Sequence, residues 1–145
     1  MLRATIVTAL SLLLVSPAAL SRAEDKDKPK KGKKPALMLR AAPREGFSPL
    51  TVLITAELKG GDDVEELYCP EVEWEWDDGG RSVQEADCEP WEPGKPIQRR
   101  FTNDHLFKES GGYDVRVSLL RLGKVLTTQT LRVTVRPGLG DMNSF

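Results

Sequence analysis

Glu71-Val72-Glu73-Trp74-Glu75-Trp76-Asp77-Asp78-Gly79-Gly80 is the stretch on which the fold turns. From 71 to 76 the residue types alternate strictly, with Val72, Trp74 and Trp76 on one side and Glu71, Glu73 and Glu75 on the other. A strand turns successive side chains to opposite faces, so the aromatics enter a core and the carboxylates face water. Asp78-Gly79 then signals a hairpin: glycine supplies a positive φ, and aspartate accepts a hydrogen bond from its own backbone. A return strand is expected over residues 81–86.

Working outward, residues 36–42 read as a strand ended by Pro43. Residues 50–58 form another, with Val52, Ile54, Ala56 and Leu58 on one side. Residues 96–102 are expected to be a strand, with Asn103-Asp104-His105 crossing to the opposite sheet. Tyr113, Val115, Val117 and Leu119 alternate inward, as do Leu131, Val133 and Val135, and the two runs join around Gly123. No helical periodicity competes. About seven short strands with turn residues between them predict an all-β fold, an antiparallel sandwich of immunoglobulin-like size. The domain is expected over residues 36–136, with residues 137–145 as a flexible C-terminal end.

The other boundaries follow from composition. Arg3, the apolar run from Ala4 to Val15, and the small residues around Ala19 and Ala23 have the order of a secretory signal peptide over residues 1–23. Cleavage is expected after Ala23, with Ala19 the second choice. Residues 24–35 hold six lysines, three acids and nothing apolar enough to bury, so a lysine-rich disordered tail is expected there. The remaining body has 13 basic and 19 acidic residues, an acidic domain behind a basic segment. No cysteine lies near the cleavage site to take a lipid, and no later run is long enough to span a bilayer. A secreted or periplasmic protein of one domain is therefore expected, and a monomer. In that oxidising compartment Cys69 and Cys88 pair most simply with each other, stapling the outer ends of the Trp-rich hairpin.

Trp74, Trp76, Asp78-Gly79, His105-Leu106-Phe107 and Gly112-Tyr113-Asp114-Val115 together resemble the polycystic kidney disease (PKD) domain family. Its pattern runs roughly Trp-x-Phe-Gly-Asp-Gly, His-x-Tyr, Gly-x-Tyr-x-Val. Asp77 stands where the family has its first glycine, Trp76 where it has phenylalanine, and Phe107 where it has tyrosine. The resemblance implies an immunoglobulin-like β-sandwich and a noncatalytic module of extracellular proteins. It also implies structural roles for Trp74, Trp76, Asp78, Gly79, His105 and Tyr113, with His105 a packing and turn residue.

Candidate chemistry is sparse. Asp77 and Asp78, or Asp62, Asp63, Glu65 and Glu66, offer oxygens to Ca²⁺, but neither group has an EF-hand spacing, so no metal or other cofactor is expected. His105 with Cys69 and Cys88 is the one conceivable zinc set, and a disulfide competes with it. A hydrolase would have His105 as its only base, without a Gly-x-Ser-x-Gly elbow or a cleft for paired carboxylates. No catalytic residues are expected. Trp91, on the loop Cys88-Glu89-Pro90-Trp91-Glu92-Pro93-Gly94, either covers the disulfide or, with Tyr68, anchors a partner. The expected function is an exported interaction module that meets an extracellular or envelope protein or a polysaccharide. A polysaccharide-binding accessory domain is the alternative, and a small enzyme the third reading. Nucleic acid is not an expected partner, because the domain is acidic and has no basic, aromatic-lined groove.

Overall fold

The computed structural model describes residues 32–140, and the leader read at residues 1–23 lies outside them. Eight strands run in order: β1 (Ala36–Ala42), β2 (Glu45–Phe47), β3 (Leu50–Lys59), β4 (Glu71–Glu75), β5 (Arg81–Gln84), β6 (Arg100–Phe107), β7 (Gly111–Arg121) and β8 (Lys124–Arg136). One 3₁₀ turn, Glu65–Leu67, precedes β4. They form two sheets, β1-β3-β6 and β2-β8-β7-β4-β5. All pairings are antiparallel except the three-residue β2, which lies parallel to the end of β8. This is an immunoglobulin-like β-sandwich.

Each inner face follows from period-two alternation. Val52, Ile54, Ala56 and Leu58 of β3 pack against Val72 and Trp74 of β4, Val115, Val117 and Leu119 of β7, and Val133 and Val135 of β8 in one buried cluster. Burying such side chains contributes about 1.5–3 kcal/mol each before the ordering cost of the chain is counted.

Three sequence expectations change. The strand expected over residues 96–102 begins later, and Asn103-Asp104-His105 is not a crossing. The loop persists to Arg99, and β6 begins at Arg100 and carries residues 103–105 in its middle, with His105 opposite Val52 and Asn103 opposite Ile54. The reason is local: Pro90, Pro93 and Pro96 lack the N–H a ladder needs, and regular pairing starts only beyond them. The strand after the hairpin ends at Gln84, short of Ala86. β2 is an additional strand, lodged between Pro43 and Pro49, where three residues are too few to show an alternation.

Of the lysine-rich segment, residues 32–35 are described, and these four are held. Lys33 N–H donates to the Asp62 carboxylate, Asp62 N–H donates to the Lys33 carbonyl, both at 2.8 Å, and Pro35 is buried. Lys34 also pairs with Glu66. At the far end, residues 137–140 follow β8, and Gly138 N–H donates to Ser48 Oγ. Residues 141–145 lie outside the described part.

Candidate functional site

The residues that carry the PKD resemblance converge on one aromatic string through the sandwich. Trp74 stacks on Trp76 with ring centroids 5.9 Å apart, and Trp76 lies flat on His105 at 4.4 Å. His105 meets the edge of Phe107, which stacks on Tyr113 at 4.4 Å. The string passes from β4 in one sheet to β6 in the other and back to β7.

The β4–β5 turn is fastened to this string. Trp76 N–H bonds the Gly80 carbonyl, and Asp78 accepts the Gly80 N–H through Oδ1. Asp78 Oδ2 lies 2.6 Å from His105 Nε2, which ties the turn to the opposite sheet. Partial burial pushes the Asp78 carboxyl upward, but hydrogen bonds from His105 and the Gly80 N–H, with the His105 charge, outweigh it and leave the group below its ordinary value. Gly79 has φ +86° and Asp77 has φ +64°. Asp77 thus holds the left-handed conformation that the family's glycine would take freely, and its Oδ2 accepts the Asp114 N–H at 2.8 Å. The Asp77 and Asp78 oxygens offered above to calcium are engaged in these internal bonds. Cys69 and Cys88 are joined to each other, with Cα atoms 6.2 Å apart, at the opposite end of the hairpin from His105, so they do not form a metal set with it.

A hollow of about 550 Å³ lies over the dyad, lined by Asp78, Gly80, His105, Lys108, Glu109 and Tyr113 among others. Both partners of the dyad are already spent on each other and on the Trp76 stack. No serine, threonine or cysteine is among the lining residues to serve as a nucleophile.

The outer face of the five-stranded sheet is a ladder of exposed ion pairs: Glu73–Arg81, Glu75–Arg116, Asp114–Arg132 and Glu45–Arg136. Such pairs are screened by water and add little to stability.

Tyr68 and Trp91 meet at the opposite end of the sandwich, beside the Cys69–Cys88 disulfide. Their ring centroids are 5.1 Å apart and their planes tilted by 56°. Tyr68 OH donates to the Glu89 carbonyl, so the loop that carries Trp91 is bound to the residue preceding Cys69. Lys95 Nζ sits 5.6 Å from the Tyr68 ring centroid and 3.1 Å from the Glu89 carboxylate. The Glu89 carboxylate, and after it Tyr68, hold the Lys95 ammonium above its ordinary value. Both aromatic residues are half-buried, packed against the core on one side and open on the other. They line an open cleft of about 400 Å³ with Glu71, Glu85, Pro90, Arg121 and Leu122 among others. Sequence reading singled out Tyr68 and Trp91 here but passed over Leu122, whose signal was its place before Gly123 in a two-residue turn.

No protein-family model matches the sequence, and no curated protein matches it. Among solved structures, the fold is similar to the PKD domain of an M14-like peptidase from a Thermoplasmatales archaeon. The two share 19% identity, with a TM-score of 0.50 over 74% of this chain and 99% of that domain. The likeness is one of fold: this chain carries a PKD-like β-sandwich.

Proposed function

We propose that the chain is an exported, noncatalytic PKD-like module that binds a protein partner through the Tyr68–Trp91 end of the sandwich. The carrying observation is that pair itself: two half-exposed aromatics, braced by a disulfide and a Pro-stiffened loop, at the mouth of an open cleft. Large amphipathic rings on a rigid support lose little entropy on binding and serve as anchors. Export is supported by the leader pattern at residues 1–23 and by the disulfide. Among the described residues no helix is long and apolar enough to cross a membrane. A protein partner is preferred to a polysaccharide because rings tilted by 56°, one already carrying Lys95, do not make a flat platform for a sugar.

The test is capture from the protein's own envelope extract by the intact chain and by Trp91→Ala, with retention on insoluble glycans run alongside. A specific protein lost with Trp91→Ala supports the reading. Capture that is indifferent to Trp91 refutes it, and Trp91-dependent retention on a glycan moves the assignment to the polysaccharide alternative.

A further inference from the structure

β7 pairs with β8 from Lys124 to Val135, but on its other side β8 is covered by β2 only over Thr134–Arg136. Among the described residues no strand pairs with that side between Lys124 and Val133. Which backbone groups face it follows from the bonds at its far end. The Arg132 carbonyl accepts from Arg44 Nε, and the Thr134 N–H donates to the Arg44 carbonyl, both on the side away from β7. Successive residues of a strand turn their N–H and C=O to opposite sides, so those of Thr128 and Thr130 also point away from β7, while those of Thr127, Gln129 and Leu131 point to it. The Thr130 N–H agrees: it donates at 3.3 Å to Oε1 of the neighbouring Gln129, a side chain standing where a strand would be.

Sheet edges recruit further chains unless charge, proline or a bulge blunts them. β8 has a bulge at Leu126, between the pairs Leu119–Thr127 and Leu120–Val125, and an arginine at 132. The five residues between, 127–131, carry no charge and no proline, in a chain of which 30% is charged. Gln129 lies on the inward side of β8 with Leu131 and Val133 and is nevertheless exposed, so the sandwich is open at this point although β1 packs near β8 from the other sheet. The edge already accepts a strand, since β2 adds to it in parallel for three residues. A second copy of the chain does not fit the rest. Antiparallel self-pairing centred on Gln129 or Thr130 runs the β7–β8 turn into the place that β2 holds on the other copy, and centred on Thr128 it sets Lys124 opposite Arg132, two like charges. The occupant left is a short strand from a different polypeptide.

We propose that β8 receives an extended, uncharged segment of a partner polypeptide along residues 127–131, continuing the row that β2 begins, with main-chain bonds to the N–H and C=O of Thr128 and Thr130. Gln129 then yields the Thr130 N–H to the incoming strand. This surface is separate from the Tyr68–Trp91 end and does not depend on it.

The experiment titrates the full chain with a capped five-residue peptide alternating threonine and valine, and follows amide hydrogen exchange along β8 by nuclear magnetic resonance. Expected is saturable slowing at Thr128 and Thr130 alone among residues 127–131, because the amides between them already bond β7. N-methylation of the peptide at successive amides should abolish the effect. Thr130→Pro, which removes an N–H that the β7 ladder does not use, should weaken it about tenfold, and Trp91→Ala should leave it unchanged. No slowing at those two amides overturns the proposal, as does equal binding of the N-methylated peptide, which needs no change to the protein. Thr130→Pro with a native circular dichroism spectrum and native affinity overturns it too. Loss of the effect with Trp91→Ala places the peptide at the other end of the sandwich and does the same. Self-association that competes with the peptide and disappears in Thr130→Pro gives the edge to a second copy, against the assignment made here.

Discussion

Trp74 and Trp76 lie two residues apart on one strand face and are equally buried, yet replacing each by phenylalanine should have very different effects. Trp→Phe removes about 40 Å³ of side chain, costing about 1 kcal/mol as residual cavity and about 1 kcal/mol more in lost transfer free energy. At Trp76 the substitution also deletes the indole N–H that donates to Ser82 Oγ at 2.9 Å, worth about 1 kcal/mol. The Trp74 Nε1 donor is buried without an acceptor. Removing it relieves a desolvation penalty of about 1–3 kcal/mol, which cancels the cavity and transfer losses. Trp76→Phe should therefore destabilise by about 3 kcal/mol and Trp74→Phe by about zero. Guanidinium unfolding followed by far-ultraviolet circular dichroism, with the disulfide intact and m unchanged, measures both. Equal losses, or a larger loss at Trp74, would refute the reasoning, since the two sites differ chiefly in the fate of one N–H.

Reducing the Cys69–Cys88 disulfide, which closes a 19-residue separation, should cost about 3 kcal/mol and leave a β-rich circular dichroism spectrum, as read by melts with and without reductant. Asp77→Ala should cost about 1–3 kcal/mol, because it loses the bond to the Asp114 N–H and keeps the left-handed strain, whereas Asp77→Gly should cost about 1 kcal/mol less, because glycine relieves the strain; a larger loss with glycine than with alanine would sink the argument. Asp78 has a lowered folded value, so its contribution is fully present above its ordinary 3.8 and is lost as pH falls below that through the folded value. The stability gap between the native chain and Asp78→Asn should accordingly be constant near neutrality and close below about pH 4; a gap unchanged into acid would break the link to ionised Asp78.

How much of this was legible depended on how locally each feature is encoded. The β4–β5 hairpin was, because its alternation and its Asp-Gly turn lie within ten consecutive residues. So was the outward direction of the glutamates on β4, although their partners, Arg116 for Glu75 and Arg81 for Glu73, come from neighbouring strands. The start of β6 was not. Gln98, Arg99, Arg100 and Thr102 give no contrast of polarity, and the strand is fixed by β3, whose hydrogen-bonding edge dictates the partner register from some fifty residues away. His105, expected at a crossing, lies inside β6, and its ring stack on Trp76 and its bond to Asp78 both arise from the approach of two sheets.

The two ends of the sandwich are built on opposite principles, and that contrast is the best guide to where the protein acts. At the β4–β5 turn the strained residues are internally compensated: Asp77 in its left-handed conformation binds the Asp114 backbone, and Asp78 closes on His105 and Gly80. Strain there has a structural reason, and the motif that conveys the resemblance is a folding device. At the β7–β8 turn Leu122 is held in the same kind of conformation, with its side chain exposed at the rim of the Tyr68–Trp91 cleft. A sequence under selection for stability alone would place asparagine or glycine at 122. Uncompensated strain at one end, beside the disulfide-braced loop of Trp91, is what the proposed binding role of that end would explain.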